Sequence, residues 1–172
     1  MTAVLPDVLV PGLDLVIVGM AASAESARQG AYYAHPGNRF WRALHESGLT
    51  PRRLAPADYA QLPEFGIGLT DVCKTQSGAD HQLDRAHHDP AAVIAKIERV
   101  RPRAAAFNSK NAAQLILGRK VDYGAQAETI GATRLFVLPS TSGRASAYWD
   151  LGPWRDLARF LGRDPRRRES VR

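Results

Sequence analysis

A nearly unbroken apolar run, LDLVIVG (Leu13–Gly19), opens directly into small residues, MAAS (Met20–Ser23). A strand without polar alternation is buried on both faces, and such strands belong to parallel sheets covered by helices on each side. In open sheets of this kind ligands bind where the strands end and the loops converge. The loop after Gly19 is thus the first place to look for a site. Between Gly19 and Gly30 its only ionisable side chains are Glu25 and Arg28. Beyond them stand two adjacent rings, Tyr32 and Tyr33, and the polar or cationic groups His35, Asn38 and Arg39.

The rest of the chain alternates in the same manner. Met1–Gly12 is predicted to wrap the surface ahead of the first strand. Asn38 is a helix cap, and Arg39–Glu46 puts Phe40, Ala43 and Leu44 on one face before Gly48 stops it. A short helix is expected over Pro56–Leu62 and a second strand over Ile67–Val72. Thr75–His88 is polar and reads as a surface loop. Asp89-Pro90 is a cap followed by a first-turn proline, starting a helix to about Arg101 with Val93, Ile94, Ile97 and Val100 inward. Ala104–Phe107 is a third strand, Ser109–Leu117 a helix ended by Gly118, and Leu135–Leu138 a fourth strand broken by Pro139. The last helix runs from Trp149 or Pro153 to Leu161. The expectation is an α/β protein: a three-layer α/β/α sandwich on a central, mainly parallel, four-stranded sheet, four being a minimum. No linker or repeat divides the chain, which reads as one domain over residues 1–162 and a basic C-terminal tail over residues 163–172.

The 172 residues are enough for one domain with a sizeable core, and 45% hydrophobic with 23% charged residues is a globular balance. No apolar run approaches the roughly 20 residues of a membrane span, and the first residues lack the pattern of a secretory signal. A cytoplasmic monomer is expected, nucleoid-associated if the host is bacterial. Cys73 is the only cysteine, which excludes an internal disulfide and a multi-cysteine cluster. The net charge of +6 suits a polyanionic partner, although part of it lies in Arg163–Arg172.

The stretch that ends Tyr33-AHPGNRFW (Ala34–Trp41) resembles the first motif of the uracil-DNA glycosylase superfamily. The spacing is closest to the branch acting on thymine and uracil mispairs, which reads G-I-N-P-G, a variable loop, then F-A-H-P-x-N-R-F-W. Gly19 and Ala34–Trp41 match that pattern. The resemblance implies that Tyr33 stacks on a flipped base and that Met20, Ala21 and Ser23 line its pocket. It also exposes a departure: Ala21 stands where that branch carries its catalytic Asn. LPSTSGRAS (Leu138–Ser146) is similar to the family's second motif, L-P-x-x-S followed by a small residue and a wedge. Its small polar side chains and backbone N–H groups suit close approach to a phosphodiester. On this resemblance Asn38, Arg39, Ser140, Ser142, Gly143 and Ser146 face DNA, and Arg144 fills the gap left by the extruded base.

Two polar residues are predicted at neighbouring strand ends. Asp71 lies at the carboxyl end of the second strand, where classical uracil-DNA glycosylases place a base-reading Asn. Asn108, in AFNSKNAA, resembles the F-N-G-K of the branch acting on deaminated purines, which also lacks the first-motif Asn. Plain alternatives are a turn or cap role for Asp71 and a helix cap for Asn108. Glycosidic cleavage develops positive charge on the sugar and negative charge on the departing base. A carboxylate can stabilise the first and accept a proton from water, and an amide can donate to the second. Asp71 and Asn108 are therefore the candidate catalytic residues. His35 before Pro36 reads mainly as a turn, and His87-His88 lacks metal-ligand spacing, so no metal or other cofactor is expected. The function expected is a DNA repair glycosylase that flips uracil, hypoxanthine or xanthine from DNA and hydrolyses its N-glycosidic bond. The alternatives are a broad-range glycosylase for which uracil is not preferred, and a non-catalytic lesion-binding protein of the same fold.

Overall fold

A computed structural model describes residues 2–163. Its sheet is built on β1 (Leu15–Gly19), β2 (Ile67–Asp71), β3 (Ala104–Phe107), β4 (Gly124–Ile130) and β5 (Thr133–Val137), in the order β2-β1-β3-β5-β4. The first three strands and β5 pair parallel; β4 pairs antiparallel with β5. Every residue of β1, β2 and β3 is buried, as the unalternated apolar runs require. Leu15 and Ile17 of β1 face one core with Leu69, Ala106 and Phe136. The helices α2 (Phe40–Glu46) and α5 (Gly152–Phe160) close it through Phe40, Leu44, Trp154 and Leu157. Val16 and Val18 face the other side, where α3 (Pro90–Val100) and α4 (Lys110–Leu117) contribute Val93, Ile97, Ala112 and Ala113. Helices thus cover both faces.

Two expectations are corrected. The sheet has five strands and is mixed. The extra strand β4 is an edge strand with one residue in seven buried and a register shift between Ala125 and Thr129. Its GAQAETI run buries too little to show an apolar pattern. The segment after β1 is also not all loop: α1 spans Ala24–Gln29, capped by Ser23, whose Oγ accepts from Ser26 N at 3.0 Å, and ended by Gly30 in the left-handed region. Its AESARQ sequence has only two alanines among polar residues and buries Ser26 alone, so it gives no apolar stripe to read.

Elsewhere the local signals held. Asp89 Oδ1 caps α3 through Ala92 N at 3.0 Å, and Ser109 Oγ caps α4 through Ala112 N at 3.1 Å. The cap of α2 falls one residue later than expected, on Arg39, while Asn38 Oδ1 accepts from Phe40 N at 3.0 Å just ahead of the helix. The N-terminal segment does wrap the surface: Val8 exchanges two 2.9 Å backbone bonds with Leu69, covering the outer edge of β2. Gly68 permits that crossing, since a Cβ there would lie 2.5 Å from the Val8 carbonyl oxygen. Arg163, assigned from sequence to the tail, is docked: it donates to Asp14 Oδ2 at 2.8 Å and to the Leu49 carbonyl at 3.1 Å. The remaining tail, residues 164–172, lies outside the described residues.

Candidate active site

The strand order brings the ends of β2, β1 and β3 side by side. Gly19 ends β1, Asp71 is its register partner at the end of β2, and Asn108 follows β3 with its N–H on the Val18 carbonyl. From β1 the chain passes to β2 on one side and then crosses back past β1 to β3 on the other, so the strand order reverses here, at the kind of switch point where such sheets bind ligands. A cleft of about 690 Å³ opens there. It is lined by all three residues together with Met20, Ala21, Ser23, Tyr33, Asn38, Ser140, Ser142, Gly143 and Arg144. Of the site residues inferred from sequence, Arg39 and Ser146 lie outside its lining.

Asp71 is only 4% exposed. No group among the described residues donates a hydrogen bond to its carboxylate, and it caps no helix; the nearest cation, Lys74 Nζ, is 4.0 Å from Oδ2. Burial pushes its pKa up to about 6, Lys74 and Lys96 pull it down, and Asp7 adds to the rise. A carboxyl with that value is an anion at neutral pH and a better proton acceptor than an ordinary Asp.

Tyr33 stands across the cleft floor. Its ring stacks on Phe40 with centroids 3.9 Å apart and planes 17° apart. Its backbone is in the left-handed region, φ 52°, which is unusual for a bulky residue and is held here by packing beside the site. Its hydroxyl is buried without a hydrogen bond of good geometry; burial and the Asp71 charge push its pKa up, and the nearby Asn108 amide offsets part of that rise.

Asn108 does not cap α4; Ser109 does. Its amide clips β3 to the second-motif loop. Nδ2 donates to Thr141 Oγ1 at 2.9 Å, and Oδ1 accepts from Thr141 N at 3.3 Å. One amide N–H remains beyond the bond to Thr141. Ala21 supplies no side-chain polar atom to the cleft it lines.

The two motif loops are tied to each other. Arg39 N donates to the Thr141 carbonyl at 2.9 Å, and its guanidinium donates to Ser146 Oγ at 3.1 Å while lying over the Trp149 ring. A Cβ on Gly143 would sit 3.1 Å from the Gly37 carbonyl oxygen. Ser140 and Ser142 hold the turn by accepting from Ser142 N and Arg144 N. Arg144 is left exposed at the rim. His35 is a turn residue, its Nδ1 accepting from Gly37 N at 2.9 Å, and His87 Nδ1 is paired with Thr75 Oγ1 at 2.7 Å. No cluster of three or more potential metal ligands occurs among the described residues.

Sequence reasoning missed Lys74, Asp7 and Thr141. Lys74 follows Asp71 by three residues in DVCK, a spacing visible in the chain. Nothing local points to Asp7, which reaches the site only because its segment crosses β2. Tyr148, 72% exposed at the cleft rim, was likewise unmarked.

With the fold and site in hand, comparison with known proteins decides the family. The profile of the uracil DNA glycosylase superfamily matches residues 6–158, nearly the whole described chain. The chain belongs to that superfamily. A solution NMR structure of a Methanosarcina acetivorans protein, proposed to be a uracil DNA glycosylase, shares its fold. The TM-score is 0.66 at 23% identity, over 92% of this chain and 96% of that one. The motif resemblance and the superfamily match therefore agree at the level of the superfamily. No described helix is long and apolar enough to cross a membrane.

Proposed function

We propose that this member of the superfamily is a monofunctional DNA glycosylase that extrudes uracil or a related deaminated base and hydrolyses its N-glycosidic bond. The observation that carries the reading is the buried Asp71 carboxylate at the floor of a cleft whose first-motif position, Ala21, has no side chain able to do chemistry. Tyr33 offers a ring for the base to stack on, and the Ser140–Arg144 loop, held to the first motif by Arg39, offers N–H groups and a cation for the phosphodiester.

In the reaction the bond between the sugar C1′ and the base nitrogen breaks, the base leaves with the bonding electrons, and water adds to C1′. Asp71, as an anion, stabilises the positive sugar and accepts the proton from the attacking water. A carboxylate repels an anionic leaving base, so the base needs donors of its own. The Asn108 amide N–H not used on Thr141 and the loop backbone are suited to that task. No cofactor takes part.

Incubation with oligonucleotides carrying uracil, hypoxanthine, xanthine or mispaired thymine, followed by alkali cleavage, tests this. Strand breaks at uracil or a deaminated purine are expected. Tight lesion binding with no cleavage of any of the four would establish the non-catalytic reading instead.

A further inference from the structure

Lys74 is a lysine with little room for solvent: its side chain is 16% exposed, and its Nζ lies 3.0 Å from Asp7 Oδ1 and donates to the Tyr32 hydroxyl at 3.0 Å. Each of these partners is itself fixed. The Tyr32 hydroxyl donates to the Pro6 carbonyl at 2.9 Å. Asp7 Oδ2 pairs with Lys96 Nζ at 2.7 Å, and Asp7 Oδ1 accepts from Thr70 Oγ1 at 2.7 Å. The backbone is pinned as well, since the Lys74 carbonyl accepts from Val4 N at 2.7 Å and Cys73 N donates to the Met20 carbonyl at 2.7 Å. The ammonium is therefore held in place 4.0 Å from Asp71 Oδ2.

The charges of this cluster decide what the arrangement favours. Asp7 and Asp71 face Lys74 and Lys96, and the four sum to zero only when Asp71 is ionised. Towards the cleft the uncharged Tyr33 hydroxyl approaches Asp71 over Gly19, and β3 is followed by the neutral Asn108. The N-terminal segment contributes Asp7, the strand-end loop Lys74, and α3 Lys96. A buried carboxylate without hydrogen-bond donors would otherwise take up a proton.

We propose, resting on the reading of Asp71 above, that Lys74 is a positioning residue that keeps the Asp71 side chain an anion at the cleft floor. Asp7 and Tyr32 hold it in place for that task. The N-terminal segment, which lies outside both motifs, thereby becomes part of the catalytic apparatus.

The test follows the Asp71 carboxyl directly, by carbon NMR of protein labelled at aspartate, with the resonance assigned by its loss in Asp71→Asn. An opposite charge at this range shifts a carboxyl by about one unit or more. The titration midpoint of Asp71 should rise by about that much in Lys74→Met and in Lys74→Gln, and stay near the wild-type value in Lys74→Arg. Lys74→Gln keeps a donor for Tyr32 and serves if the Met variant does not fold. The acid limb of base excision should move with the midpoint. A folded Met or Gln variant with an unmoved midpoint overturns the proposal. A midpoint that rises while the activity profile stays still upholds the role of Lys74 on Asp71 and refutes the catalytic reading of Asp71.

Discussion

Asp71 and Tyr33 meet over the bare Cα of Gly19: a methyl group built there lies 2.6 Å from Asp71 Oδ1 and 2.8 Å from the Tyr33 hydroxyl. The glycine is required by contact rather than by backbone conformation, as its φ is not positive. Gly19→Ala must displace one or both groups, and overpacking of this kind costs about 1–3 kcal/mol. The variant should be destabilised by that order and lose base excision well beyond what its stability explains. Chemical denaturation and excision rates on the folded fraction check this.

Tyr33 presents the cleft with a ring backed by Phe40 and a hydroxyl that bonds to nothing. Base stacking on an aromatic is worth about 1–3 kcal/mol. Tyr33→Ala should cost about 10- to 100-fold in excision rate. Tyr33→Phe removes a buried unpaired hydroxyl, so it should keep most of the activity and match or exceed wild-type stability. A Phe variant as poor as the Ala variant would assign the function to the hydroxyl.

Arg144 is exposed at the rim, beyond a turn fixed by Ser142 and by the contact of Gly143 with Gly37. A wedge acts by stabilising a base out of the stack, a task that matters least where there is no stack. Arg144→Ala should lower excision from paired duplex more than from single strands, measured side by side. Equal losses on both would assign Arg144 to phosphate contact alone.

The Asp71 carboxyl makes a stability prediction independent of activity. Its pKa rises from 3.8 unfolded to about 6 folded through burial. A carboxyl raised by folding contributes stability below about pH 4 that is lost as the pH climbs through about 6. The difference of about two units corresponds to about 3 kcal/mol. Asp71→Asn should therefore be more stable than wild type at pH 8 by up to that amount, with the two converging near pH 4. Unfolding midpoints in denaturant across this range check it, and a constant difference would contradict it.

How much of this could be read from the chain depended on whether the signal was local. Buried on both faces, β1 and β3 announced themselves as apolar runs, and the Asp89-Pro90 and Ser109 caps marked α3 and α4. The ends of β2 and β3 then placed Asp71 and Asn108 on one edge of the sheet, where the structure has them. β4 escaped because an edge strand with a register shift buries too little to show a pattern. α1 escaped because its short, mostly polar sequence carries no apolar stripe, although Ser23 ahead of it and Gly30 after it were cap signals in plain view. Arg39 and Asn108 were read as ligand-facing, yet each also joins the two motif loops, a task only tertiary structure reveals. The reach of Asp7 to Lys74 had no local signature at all.

The central claim is that chemistry has moved from the first-motif position, Ala21, to Asp71. Single-turnover excision with DNA saturating reads the chemical step without interference from binding. Asp71→Asn preserves size and removes the charge and the proton acceptor. Its rate should fall at least about 100-fold below wild type with DNA affinity retained. A single-turnover rate close to wild type would contradict it, and would return catalysis to backbone donors around Ala21.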